Sequence, residues 1–248
     1  QGPFLFLVDT ATSHTVFVPE LQKRLQLPTL PGPAYDVITA AGAVRSHFHK
    51  VDEVAAAGVI VEGGRAVVID LPREFGIMGI LGADFLSNFT VDLDLRRQTI
   101  TLYPEGTELR LPGFQRIRGR MNNYGFIILP GRVDNASTAT VFDTGAQYTV
   151  ANSALASTTQ RTTKAIARNV ESRVIDAAHQ RGWAETLGFS RISVGPVVWR
   201  ERSIMIADMR VFGHIGLNRS PAIFIGMDFL NARRFVLDYG NAAVWMEP

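Results

Sequence analysis

The sequence predicts an all-β chain, mainly antiparallel and built as two similar halves, and three observations carry that reading. Its apolar residues fall in short β-rich runs bounded by Gly, Pro, Asp and Asn, with few stretches long enough for a helix. Four landmarks recur in the same order about halfway along the chain. And 248 residues are enough for two units of about 120, each large enough to bury a core of its own.

Strands are expected in the first half at 4–8, 14–18, 35–40, 44–52, 57–61, 66–70, 91–94 and 99–103. In the second half they are expected at 126–129, 138–142, 147–150, 171–177, 182–187, 190–194, 203–206 and 235–238. Helices are short. "PELQKRL" (19–25) carries Pro at a plausible first helical position, and "NSALAST" (152–158) opens on capping residues.

The landmarks fix how the halves correspond. "FLFLVDTATS" (4–13) is answered by "TVFDTGAQYTV" (140–150), each a strand ending on Asp-Thr, with Asp9 and Asp143 separated by 134 residues. "GILGADFL" (79–86) is answered by "IFIGMDFL" (223–230), with Asp84 and Asp228 separated by 144. Ten residues after each of these comes Asp94 or Asp238, and ten further on Pro104 or Pro248. A weaker match pairs "VITAAG" (37–42) with "VIDAAH" (174–179), so the second half gains ten residues overall. In each apolar-apolar-Gly landmark, Gly lets two backbones cross closely, and a turn of helix is expected to follow it. The strand matching Phe126–Leu129 would fall before Gln1, so the chain, which does not begin with Met, reads as a processed form or a fragment.

Composition narrows the chemistry. The chain is 46% hydrophobic and 19% charged with a net charge of +2. No apolar run reaches the length of a membrane span. Cysteine is absent, so neither disulfides nor thiol chemistry contribute. The five His form no ligand spacing, so no metal is expected. "RIRGR" (116–120) lacks interleaved aromatics and reads as a solvated linker rather than a nucleic-acid site. "VDLDL" (91–95) has no phosphate-cradling loop nearby and reads as a structural turn at a strand end.

An Asp ending one buried strand is an ordinary way to begin a turn; its recurrence in the same setting makes it a candidate functional pair. Strand-Asp-Thr-Gly-Ala at 143–146, the apolar-apolar-Gly landmarks at 80–82 and 224–226, and their order in both halves resemble the retropepsin-like and pepsin-like aspartic peptidases. The resemblance covers nearly the whole chain. It implies a bilobal fold with an interlobe cleft, the lobes being 1–112 and 113–248, the first lacking its first strand. It also implies hydrolysis of peptide bonds by an Asp9/Asp143 dyad, with Thr10 and Thr144 cross-linking the active-site loops and no cofactor. A peptide or protein substrate, a monomeric active form and an extracytoplasmic home follow from the same resemblance.

Two carboxyls about 3 Å apart cannot both ionise cheaply, which is why such chemistry needs the motif twice. One then acts as base on a water while the other, protonated, donates to the substrate. The first lobe departs from the family pattern at Ala11, where Gly145 stands in the second, and its methyl is expected to crowd the dyad modestly. Thr12 can donate to Asp9 where Ala146 cannot donate to Asp143, so Asp9 is expected to be the more readily ionised. By position, 43–50 and 180–187 form the two flaps, with Phe48 and Trp183 as candidate cleft-facing aromatics. A catalytically impaired peptide-binding or partner-binding relative, or a form latent until N-terminal processing, is the alternative that Ala11 and the missing strand support.

Overall fold

The computed structural model describes residues 2–38, 43–159, 172–175 and 181–248, and these are mostly strand with a few short helices. The first half runs β1 (Phe6–Val8), β2 (Val16–Phe17), α1 (Pro19–Leu25), β3 (Tyr35–Ile38), β4 (Ala43–Ser46), β5 (Phe48–Ala56), β6 (Val59–Val68), β7 (Gly79–Leu81), α2 (Ala83–Leu86), β8 (Phe89–Asp94) and β9 (Thr99–Pro104). The second runs β10 (Gln115–Arg118), β11 (Arg120–Met121), β12 (Ile127–Val133), β13 (Ala136–Phe142), β14 (Val150–Ala151), α3 (Ser153–Thr159), β15 (Ser172–Ile175) and β16 (Arg181–Val194). It continues with β17 (Val197–Ile206), α4 (Arg210–His214), β18 (Ala222–Ile225), α5 (Met227–Leu230), β19 (Arg234–Asp238) and β20 (Ala243–Met246).

Each half lays out its landmark strands in the same way. In the first, β1 pairs in parallel with β7, which pairs antiparallel with β2. In the second, β13 pairs in parallel with β18, which pairs antiparallel with β14. β7 and β18 went unpredicted because three or four wholly buried residues show no alternation to read. The short helices α2 and α5 follow Gly82 and Gly226 as expected. These two glycines are required by contact: a Cβ on Gly82 would strike the His14 and Thr12 backbone, and one on Gly226 the Tyr148 and Ala146 backbone.

Several expected breaks are absent. The runs 57–61 and 66–70 join as β6, with Gly63 at φ 71° absorbing the kink between them. The strand expected at 126–129 runs on to Val133 as β12, through Pro130 and Gly131 in register with β13. "RIRGR" is not a solvated linker. Arg116–Arg118 lie in β10, which pairs with β20, and Arg120 begins β11. Ile117 is the buried residue that anchors this segment, and its four charged or flexible neighbours mask it in the sequence.

A third sheet, in the order β10-β20-β19-β8-β9, joins strands from the two halves of the chain. Its central pair, β8 with β19, aligns Thr90 with Asp238, Asp92 with Val236 and Asp94 with Arg234. With the 144-residue offset of the repeat, Asp92 faces its own equivalent, and Thr90 faces the equivalent of Asp94. The register is therefore two-fold about Asp92 and Val236. Val91, Leu93, Phe235, Leu237 and Val244 are buried in this sheet and belong to one core with β12, β13 and β16.

The halves differ at one edge. β12 pairs with both β13 and β16, closing a barrel-like sheet in the second half. In the first half the order β1-β7-β2-β6-β5 has no described strand between its ends. All three β1 residues are only half-buried, whereas Thr140, Val141 and Phe142 of β13 are buried. No helix among the described residues is long and apolar enough to cross a membrane.

Candidate active site

Asp9 and Asp143 stand at equivalent points. Each follows a strand of a parallel pair, and its backbone N–H continues that pairing, Asp9 to the Leu81 carbonyl (3.0 Å) and Asp143 to the Ile225 carbonyl (2.9 Å). The chain then turns, and each turn is tied down by the crossing landmark. Ala83 N–H donates to Thr12 O (2.7 Å) and Met227 N–H to Ala146 O (2.8 Å).

The Asp of each Asp-Phe-Leu landmark braces the same loop from beyond. Asp84 accepts from the Thr15 amide (2.8 and 3.0 Å) and the Thr15 hydroxyl (2.7 Å), and Asp228 accepts from the Thr149 hydroxyl (2.7 Å). Thr15 and Thr149 were not singled out from the sequence. Both lie six residues after the loop Asp, so the repeat itself carried the signal.

The two loops meet through their threonines. Thr10 N–H donates to Thr144 Oγ1 and Thr144 N–H donates to Thr10 Oγ1, both at 3.2 Å. Each hydroxyl then donates across to the other half, Thr10 Oγ1 to Phe142 O and Thr144 Oγ1 to Val8 O, both at 2.6 Å. Both threonines are buried. Six backbone and hydroxyl groups are thus satisfied by bonds between residues 132 to 136 apart.

Above this cross-link lie the carboxyls. Asp9 Oδ1 accepts from Ala11 N–H (2.8 Å) and Oδ2 from the Thr12 hydroxyl (2.6 Å). Asp143 Oδ1 accepts from Gly145 N–H (3.0 Å) and Ala146 N–H (2.9 Å). Gly145 packs so closely on Asp9 that an added Cβ would overlap the Asp9 carboxyl. Burial raises the Asp9 pKa, an effect opposed by the Thr12 hydroxyl and the amides of Ala11 and Thr12. Asp143 keeps part of its surface open to solvent, yet its pKa is raised well above the usual carboxylate value. Burial within the surrounding protein is the larger cause and the charge of Asp9 the second, with only the two amides opposing them.

Ala11 does not sit as its repeat partner does. Its methyl packs against the cluster of Phe126, Ile128, Val141 and Phe212 in the second half, so it has a hydrophobic seat. The Ala11 amide keeps its bond to Asp9, as expected.

The flap candidates are less accessible. β3 and β4 form a hairpin, and β15 and β16 form another. Residues 39–42 and 176–180, between the paired strands, lie outside the described residues, as does the Trp183 side chain. Phe48 is 8% exposed, with its ring against His14 and Tyr35 (centroids 5.2 and 5.0 Å) and the Arg65 guanidinium 4.2 Å from its centroid.

One neighbour of the carboxyls was not foreseen. Tyr239, directly after β19, is 3% exposed, and burial together with the charge of Asp9 pushes its phenol pKa up. Its repeat equivalent is Leu95, and a polar tip replacing an apolar residue was the available sign.

A protein-family model described as "Aspartyl protease" matches residues 1–85, the stretch that holds Asp9, its loop and the first crossing landmark. It supports an aspartic-type protease family, a class of hydrolases acting on proteins. No curated protein matches the chain.

Proposed function

We propose that the chain is an aspartic endopeptidase of two retropepsin-like lobes, 1–112 and 113–248, whose catalytic groups are Asp9 and Asp143. The observation that carries this reading is the reciprocal cross-link between Thr10 and Thr144, which ties two equivalent Asp-bearing loops to each other. The family match over residues 1–85 agrees with it.

The chemistry follows from the asymmetry of the pair. Asp9, with the Thr12 hydroxyl and the Ala11 amide as donors, is the member that ionises first. Asp143, with no donor to its second oxygen among the described residues and facing that charge, keeps its proton. A water held between them gives its proton to Asp9 as its oxygen attacks the scissile carbonyl carbon, while Asp143 donates to the carbonyl oxygen. The tetrahedral adduct collapses when the leaving nitrogen takes a proton from Asp9, the C–N bond breaks, and one hydroxyl of the adduct returns its proton to Asp143 as the C=O bond re-forms. Thr10, Thr144, Gly145 and Ala146 hold the loops, and the Ala11 methyl is accommodated by its apolar seat.

The purified chain should cleave a peptide library between about pH 4 and about pH 7. Asp9→Asn and Asp143→Asn should each abolish cleavage while preserving the fold. Peptide binding without turnover in all three proteins would instead identify a binding module.

A further inference from the structure

Among the described residues, two buried side-chain polar atoms have no hydrogen-bond partner, Asn122 Nδ2 and the Tyr239 hydroxyl. Tyr239 is the one that lies beneath the proposed dyad. Together with Thr10, Phe142, Leu237 and Val244 it lines an internal cavity that has room for about one water molecule. Thr10 and Tyr239 bring the side-chain polar groups to this otherwise apolar space.

Thr10 has capacity to spare. A hydroxyl offers one donor and two acceptor lone pairs. Thr10 Oγ1 donates to Phe142 O and accepts from Thr144 N–H, which leaves one lone pair. The phenol of Tyr239 has a proton to give, and the charge of Asp9 favours keeping that proton in place. Donor and acceptor thus line one small buried cavity, the setting in which internal waters are retained.

We propose that Tyr239 and Thr10 hold a single internal water beneath the two carboxyls, Tyr239 donating to the water and the water donating to Thr10. Tyr239 is then a positioning residue for the Asp9 side of the site. The chain from phenol through water and Thr10 to the Phe142 carbonyl polarises in one direction and stiffens the cross-link. Bonded to Thr10, the residue next to Asp9, the water steadies the loop whose Ala11 amide and Thr12 hydroxyl donate to the Asp9 carboxyl. Leu95, the equivalent residue of the first half, has no hydroxyl with which to brace Thr144 in the same way, so this device deepens the difference that Thr12 begins.

The catalytic part of this inference rests on the peptidase reading, whereas the hydration part does not. Tyr239→Phe removes the hydroxyl and keeps the ring. With the water in place, the variant melts at lower temperature than the parent, and a high-resolution crystal structure of the parent carries density between Tyr239 and Thr10 that the variant lacks. The acidic limb of kcat/KM moves to higher pH, because a less firmly held Thr10 loop keeps the Ala11 and Thr12 donors less well aligned on the Asp9 carboxylate. A dry cavity in the parent crystal, or a variant that melts higher because an orphaned hydroxyl has been removed, overturns the proposal. An unmoved acidic limb alongside clear density overturns the positioning role. If the parent cleaves no peptide, the peptidase reading fails on its own, and density and melting temperature still decide the water.

Discussion

Thr10 and Thr144 each donate a backbone N–H to the other's hydroxyl at 3.2 Å, so the two halves of the chain are bonded at a point where neither can shift alone. Thr144→Val keeps shape but deletes the hydroxyl that Thr10 N–H donates to and the donor to Val8 O. Leaving two buried backbone groups unpaired should cost about 2–4 kcal/mol. Urea unfolding checks this, and Thr144→Ser, which retains the hydroxyl, should recover most of the loss.

Gly145 and Ala11 occupy equivalent positions but should answer substitution in opposite ways. Gly145→Ala drives a methyl into the Asp9 carboxyl and should reduce kcat by at least the roughly 10²-fold typical of misplaced catalytic groups. Ala11→Gly only empties an apolar seat, so activity should persist while stability falls by about 1 kcal/mol, close to one buried methyl group. Steady-state kinetics and thermal melts on the pair separate the two effects.

Thr12→Ala removes the 2.6 Å hydroxyl donor to Asp9 Oδ2. The charged carboxylate loses support, so its pKa rises further and the acidic limb of kcat/KM moves to higher pH. Thr12→Ser should leave the limb near that of the parent. A pH–rate profile for each variant is the measurement.

Burial of Asp143 sets the sign of a stability change with pH. Its carboxyl has a higher pKa folded than unfolded, so the folded state holds the proton more tightly. The stability this provides is present below the unfolded value of 3.8 and is lost as pH rises through the folded value. Asp143→Asn, with no charge to bury, should melt higher than the parent near neutral pH and approach it in acid. For a chain of this size the gain is roughly 2–4 °C for each kcal/mol relieved. Melting curves across that pH range test the sign.

Asp92 and Arg234 form a two-pronged ion pair between β8 and β19, at 3.0 and 2.7 Å. The Asp92 side chain is 7% exposed and that of Arg234 29%. Arg234→Met strands a buried carboxylate and should cost about 3 kcal/mol, the low end for breaking a buried pair because Arg234 retains some solvent. Adding Asp92→Asn should restore much of it, which denaturant unfolding of the double variant would reveal.

How much of this was legible in advance depended on periodicity and repetition. The Asp9 and Asp143 loops, both crossing glycines and helices α1, α2, α3 and α5 could be read because each had a recurring pattern or a capping residue to mark it. β7 and β18 could not, since wholly buried runs of three or four residues carry no alternation. β10 hid among arginines because an edge strand needs only one buried residue, Ile117, to be held. The seat of the Ala11 methyl was invisible for a different reason: it is built by residues more than a hundred positions away, and local sequence does not report on them.

The two-fold register of β8 against β19 bears on how the molecule is assembled in time. Asp94 and Arg234 are adjacent in space but 140 residues apart in sequence, so β8 leaves synthesis long before its partner exists. Closing so long a loop is entropically slow, and an apolar strand with an open edge stands waiting meanwhile. Because the register is symmetric about Asp92 and Val236, the strand that best imitates β19 is a second β8. A nascent or truncated first half can thus pair with a copy of itself, but β19 in the same polypeptide wins both by effective concentration and by fit, because it brings Val236 and Arg234 to Asp92 where a copy would bring Asp92 and Thr90.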